Sequence, residues 1–203
     1  TSNAGMAELR REIASYLERR FQLRYDFASQ IIVTVGGSEG IDLALRCMVD
    51  PGDEVIVPVP SFVCYGPLTS MAGGVPVFVE AREEDGFGPC SADIEAAVTK
   101  KTRAIIVNSP SNPCGCVYSE KCLREIARLA EKHDLYIVAD EIYDELIYTG
   151  KAMSIAMMSD DAKARTIIVN GMSKAYAMTG WRIGYTIAPA EVAKVMGSYQ
   201  SHS

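Results

Sequence analysis

Short apolar runs alternate along the chain with longer stretches of helical periodicity. The runs QIIVTV (30–35), DEVIVPVP (53–60), RAIIVNSP (103–110), LYIVADE (135–141), RTIIVN (165–170) and WRIGYTIA (181–188) are rich in β-branched residues and predict strands, and GVPVFVE (74–80) is extended as well. Helices are predicted over 39–49, where Ile41, Leu45 and Met48 share a face, and over 61–72. Another spans 91–100 with Ser91 as its N-cap, and a strongly amphipathic one spans 119–134, with Leu123, Ile126, Ala127 and Ala130 at helical spacing. Pro51-Gly52 stops the first helix, and PAEVAKVMGSY, starting at Pro189, opens the last.

Strands that are apolar almost throughout need cover on both faces. Their alternation with helices predicts an α/β fold, a three-layer sandwich around a mostly parallel central sheet. No repeat or obvious linker divides the chain, and its length allows one large domain or two small ones. In such sheets ligands sit beyond the carboxyl ends of the strands. The polar stretches 36–40, 60–65, 108–115, 140–143 and 170–174 all fall at those ends.

Composition narrows the function. With 48% hydrophobic and 23% charged residues the chain is globular, and a net charge of -6 leaves no basic footprint for nucleic acid or anionic membrane. No apolar run approaches the roughly 20 residues that span a bilayer, and TSNAGMAELRREI lacks the apolar core of a signal peptide. The six cysteines form no CxxC pair, and Cys114-Gly115-Cys116 is too tight for usual zinc spacing. They read as free thiols of a cytoplasmic protein without a metal site.

The polar stretches carry candidate chemistry, each with a plain structural alternative. VGGSEG joins a strand to a helix, where free N–H groups and the helix dipole favour an anion; it is equally a tight turn. It fits neither the dinucleotide fingerprint nor the Walker loop. Asp140 ends an apolar strand and needs a cationic or hydrogen-bonding partner, with Tyr143 pointing the same way if a helical turn begins; an N-cap and a helix tyrosine would look the same. Asn108 and Asn112 serve either the local backbone or a ligand oxygen. Phe62 is core or a flat wall for an aromatic ligand. Lys174 is a surface charge or, if desolvated, a nucleophilic amine, and Arg182 a surface charge or a phosphate clamp.

Four segments occur in a telling order: GGSEG, NPCG, DEIY and SKAYAMTGWRIG. Together they resemble the class I/II pyridoxal phosphate-dependent aminotransferases of fold type I, with NPCG matching NPxG, DEIY matching DxxY, and the last segment matching SK…GxRxG. The resemblance covers the whole chain as the large, cofactor-binding domain. It implies that Lys174 holds the aldehyde of pyridoxal 5'-phosphate as a Schiff base and then moves a proton. It implies that Asp140 pairs with the ring nitrogen, and that Tyr143 and Asn112 hydrogen-bond the ring's phenolic oxygen. Backbone groups at Gly37, Ser38 and Glu39, with Ser173 and Arg182, would hold the phosphate. Phe62 would stack on the ring, and Tyr65 would line the pocket. The substrates implied are an amino acid and a 2-oxo acid, weakly favouring the branch that handles aspartate, aromatic or diaminopimelate-type substrates.

Members of that family run about twice this length and act as homodimers. An N-terminal segment and a C-terminal small domain that carries the carboxylate-binding arginine are therefore expected outside this chain, which alone is expected to bind cofactor weakly and turn over poorly. Cys114 stands where the NPxG motif usually has threonine or another small residue, a tolerable change. Relatives of the same fold leave two alternatives, a C–S β-lyase and a cofactor-sensing domain of a transcription regulator. A nicotinamide-binding domain predicts an acidic residue ending the second strand, where the chain instead reads VIVPVP.

Overall fold

A computed structural model describes residues 3–202. Seven strands form one sheet: β1 (Ile31–Val35), β2 (Glu54–Val59), β3 (Val75–Glu80), β4 (Thr102–Asn108), β5 (Tyr136–Asp140), β6 (Thr166–Gly171) and β7 (Ile183–Ile187). Their order is β1-β7-β6-β5-β4-β2-β3. Only β7 runs against the rest, antiparallel to both β1 and β6, so the sheet is mostly parallel. The register sets Asn108 beside Asp140, which aligns the carboxyl ends of β4 and β5.

The helices are α1 (Ala7–Phe21), α2 (Gly36–Met48), α3 (Tyr65–Met71), α4 (Ser91–Ala97), α5 (Glu120–His133), α6 (Asp160–Arg165), α7 (Met172–Ala175) and α8 (Ala190–Gln200). They cover both faces of the sheet, because neighbouring strand residues point to opposite sides. Ile106, Val138 and Val169 pack with Ile41 and Leu45 of α2 and Met196 of α8. Ile105 and Ile137 pack with Ile94 of α4 and Leu123 and Ile126 of α5. On that second side, Ile13, Leu17 and Phe21 of α1 cover Ile168 and Ile187. Leu45 is fully buried, so truncation to alanine there costs about 2–5 kcal/mol.

Several elements differ from the sequence reading. Helix α1 is an addition; its apolar residues Ile13, Leu17 and Phe21 repeat every fourth position within an otherwise charged stretch. Helix α2 starts at Gly36 rather than residue 39, because its glycines are pressed against the sheet: a Cβ on Gly40 would lie 2.7 Å from Thr186. Helix α3 is confined to Tyr65–Met71. The N-cap of α4 is Cys90, not Ser91; Ser91 is the first helical residue and its hydroxyl donates to Glu125 at 2.9 Å instead. Ser119 does cap α5, its Oγ accepting the Cys122 N–H.

Candidate active site

The carboxyl ends of β4, β5 and β6 meet the start of α2 around a cleft of ≈ 230 Å³. Of the residues singled out in the sequence, Gly37, Ser38, Phe62, Tyr65, Asn112, Asp140, Tyr143, Ser173, Lys174 and Arg182 line it. Glu39 does not: its carboxylate turns back to accept the Val35 N–H.

Asp140 closes the floor of the cleft. It is 6% exposed, and its Oδ2 accepts a 2.7 Å hydrogen bond from the Tyr65 hydroxyl. Burial pushes its carboxyl above the usual range, although the Tyr65 bond and the Ile142 N–H pull the other way. No cation reaches it among the described residues. Tyr65 stands edge-on to Phe62, the ring centroids 6.0 Å apart, which fixes the half-buried Phe62 ring against the cleft.

The two asparagines divide their work. Buried Asn108 serves the backbone: its amide donates to the Pro110 and Asp140 carbonyls at 3.2 and 3.0 Å, and its carbonyl takes the Asn112 N–H at 2.9 Å. That leaves the Asn112 side chain free to reach the Tyr143 hydroxyl at 3.3 Å. Lys174 sits on the short helix α7, its Nζ 5.7 Å from the centre of the Tyr143 ring. The lysine is exposed to the open cleft, so the dryness that a nucleophilic amine requires must come from what fills the cleft.

The opposite wall suits an anion. A helix leaves its first N–H groups unpaired, and here these belong to Gly36, Gly37 and Ser38. The Arg182 guanidinium lies against Gly36, whose φ of 76° and lack of a side chain make room; a Cβ there would collide with it. Gly184 allows the same close approach, since its Cβ would overlap the Gly36 backbone. This gives GxRxG its physical content: the glycine admits the start of α2 and the arginine caps it. A cation at the positive end of a helix is unfavourable until an anion joins them.

Beyond Asp140 the acids continue inward. Glu141 is 5% exposed, and burial raises its carboxyl to about 8. Asp144 is also raised by burial, and takes hydrogen bonds from Tyr16 and Asn170. The sequence reading gives no role to Tyr16 or Asp144 and includes Asn170 only as the start of the polar stretch 170–174; the acid run DEIYDE and the Asn-Gly step before MSK were the available signals. Among the described residues no cluster of histidine, cysteine and acid can hold a metal ion, and no helix is long and apolar enough to cross a membrane. All six cysteines are free.

A buried acid, an amine and an arginine-capped helix start thus meet around one cleft. The chain is a member of the class I and II aminotransferases, whose family description matches residues 1–203. Members of that family use pyridoxal phosphate. The chain is 51% identical over 196 residues to the putative aminotransferase YugH of Bacillus subtilis, covering 97% of this chain and 50% of that protein. It is 43% identical over 204 residues to an aspartate aminotransferase of the same organism, covering 100% of this chain and 52% of the relative. A Thermus thermophilus aspartate aminotransferase solved with maleate superposes with a TM-score of 0.96 at 44% identity, covering 100% of this chain and 52% of the other. The chain thus spans about half the length of the curated relatives it matches.

The residues present fit the family's cofactor. A pyridinium nitrogen offers the cation that buried Asp140 lacks, and a phosphate offers the anion that Arg182 and the start of α2 lack.

Proposed function

We propose that this chain forms the cofactor-binding part of an aminotransferase that moves an amino group between an amino acid and a 2-oxo acid. The observation that carries this reading is the complementary pair of walls: a buried acid with no cation, and an arginine at a helix start with no carboxylate, among the described residues. Pyridoxal phosphate supplies, when bound, an aldehyde for an amine to capture and a ring that withdraws electrons from the carbon being deprotonated.

The remaining work falls to the chain. Lys174 Nζ would hold the cofactor at its aldehyde and, when free, would accept and return a proton at the substrate's Cα. Asp140 accepts the ring N–H and keeps that nitrogen charged, with Tyr65 orienting the carboxylate from behind. Asn112 and Tyr143, already joined to each other, address the phenolic oxygen. Arg182, Ser173 and the N–H groups of Gly37 and Ser38 hold the phosphate. Glu39 acts at one remove, by fixing the end of β1 where α2 begins. Phe62 covers one face of the ring and excludes water.

Aspartate is the amino donor we favour, because relatives named for it match at 41–44% identity. A homodimer fits the apolar side chains beside the cleft residues: Val63 is 80% exposed and Trp181 73%. Six free thiols support a cytoplasmic location. The test is to incubate the purified protein with pyridoxal phosphate, L-aspartate and 2-oxoglutarate. Glutamate and oxaloacetate should form in equal amounts, and neither should form with Lys174→Ala. Release of pyruvate and ammonia from a cysteine conjugate, without exchange of amino groups, would replace this reading with that of a lyase.

A further inference from the structure

Two buried polar side chains next to the cleft, and a half-buried tyrosine that meets them, have no part in the chemistry above. Asp144 and Asn170 are each 3% exposed, and Tyr16 reaches them from α1. Asp144 Oδ2 accepts from the Tyr16 hydroxyl at 2.8 Å and from Asn170 Nδ2 at 3.0 Å. The same hydroxyl lies 2.6 Å from Glu145 Oε1, which also meets Arg20 of α1 at 3.4 Å. Asn170 spends its other end on its own chain, its Oδ1 taking the Gly171 N–H at 2.7 Å. Gly171 has no slack either, since a Cβ on it would lie 2.8 Å from the Ile183 carbonyl.

The placement of these bonds is what gives them a function. Asp144 follows Tyr143 directly, and Asn170 sits four residues before Lys174. One carboxylate therefore ties the loop that carries the phenol to the strand end that leads into the amine's helix, and α1 holds the joint from outside. Buried polar groups are costly unless fully bonded, and here each bond links a different segment.

We propose that Asp144 is a positioning residue that, through Asn170 and Tyr16, sets where the Tyr143 ring stands relative to Lys174. The inference rests on the reading of the cleft given above. It makes the geometry of the pair depend on α1, a helix far from the cleft in sequence.

Reciprocal substitution provides the test. Asn170→Asp sets two carboxylates against each other and removes the donor. Adding Asp144→Asn swaps the amide and the acid, so that donor and acceptor face each other again. In the cofactor-free protein, amide hydrogen exchange over 141–146 and 170–176 should rise about tenfold in Asn170→Asp, with β2 and β3 unchanged. In the loaded protein, the pH at which the visible band changes should move by about half a unit or more. The double variant should return both readings towards the parent, as a coupled pair requires. Tyr16→Phe, which removes one exterior donor, should produce the same changes on a smaller scale and serves if Asn170→Asp does not fold. An unmoved band midpoint in Asn170→Asp or Tyr16→Phe, or a double variant no better than the single, overturns the inference. A parent protein with no visible band removes the cofactor reading instead; the exchange comparison then decides the anchoring alone, and unchanged exchange overturns it.

Discussion

The two ends of the parallel strands handle charge in opposite ways. At the amino ends the charges are answered locally, by ion pairs near the surface. Arg103 of β4 meets Asp53 at 3.3 Å, and Arg165 before β6 meets Asp161 at 2.6 Å and Asp134 at 3.2 Å. At the carboxyl ends Asp140, Glu141 and Asp144 are buried together, and no ion pair joins them to a lysine or arginine among the described residues. Lys174 and Arg182 stand nearby, equally without a carboxylate. One end of the sheet is finished by its own side chains. On the function proposed, the other is left for a ligand that brings a cation to one wall and an anion to the opposite one.

The sharpest break in this comparison is Lys174→Ala. Amino transfer should fall by about 10⁴-fold, while the melting temperature of the cofactor-free protein barely moves, because Lys174 is exposed and its one recorded contact is with the Tyr143 ring. Paired activity and melting measurements check this. A large loss of stability would mean that the lysine is structural.

Glu141→Gln comes next, and its sign follows from the direction of the shift. The carboxyl rises from 4.5 to about 8 on folding, so the folded state holds the proton more tightly. The stability this contributes is complete below about pH 4.5 and is lost as pH climbs through about 8. Glutamine does not titrate. The variant should therefore gain on the parent as pH rises across that window, by up to about 5 kcal/mol. Denaturant unfolding at several pH values measures the gain, and a gap that does not change with pH would contradict it.

Asp140→Asn separates folding from binding. Removing an unpaired buried charge should raise the melting temperature of the cofactor-free protein. Removing the partner of the ring nitrogen should weaken pyridoxal phosphate by about 100-fold. Calorimetry and equilibrium titration read the two effects, which should have opposite signs. The smallest effect belongs to the amino ends: Arg103→Ala breaks a half-exposed pair and should cost about 1 kcal/mol, with cofactor affinity unchanged.

Most of the strands were legible because each is apolar on both faces, and a run such as AIIV in β4 needs no partner to be recognised. The site residues were legible because their spacing is local: Asp140 to Tyr143, and Lys174 to Arg182. Whatever depended on distant pairing was hidden. Nothing in the sequence places β7 antiparallel between β1 and β6, since strand order is a property of contacts. The bond from Tyr65 to Asp140 spans 75 positions and that from Tyr16 to Asp144 spans 128, so neither residue announces its partner. Helix α1 was masked by its charge, although its apolar spacing was there to read. The start of α2 was masked by glycine, whose low helix propensity gives way to its close packing on β7.

The most direct test is to add pyridoxal phosphate to the protein, reduce it with borohydride, and map the labelled peptide. The account predicts a visible band that reduction fixes onto Lys174 and that Lys174→Ala abolishes. Stable label on another lysine, with Lys174 unmodified, would contradict it.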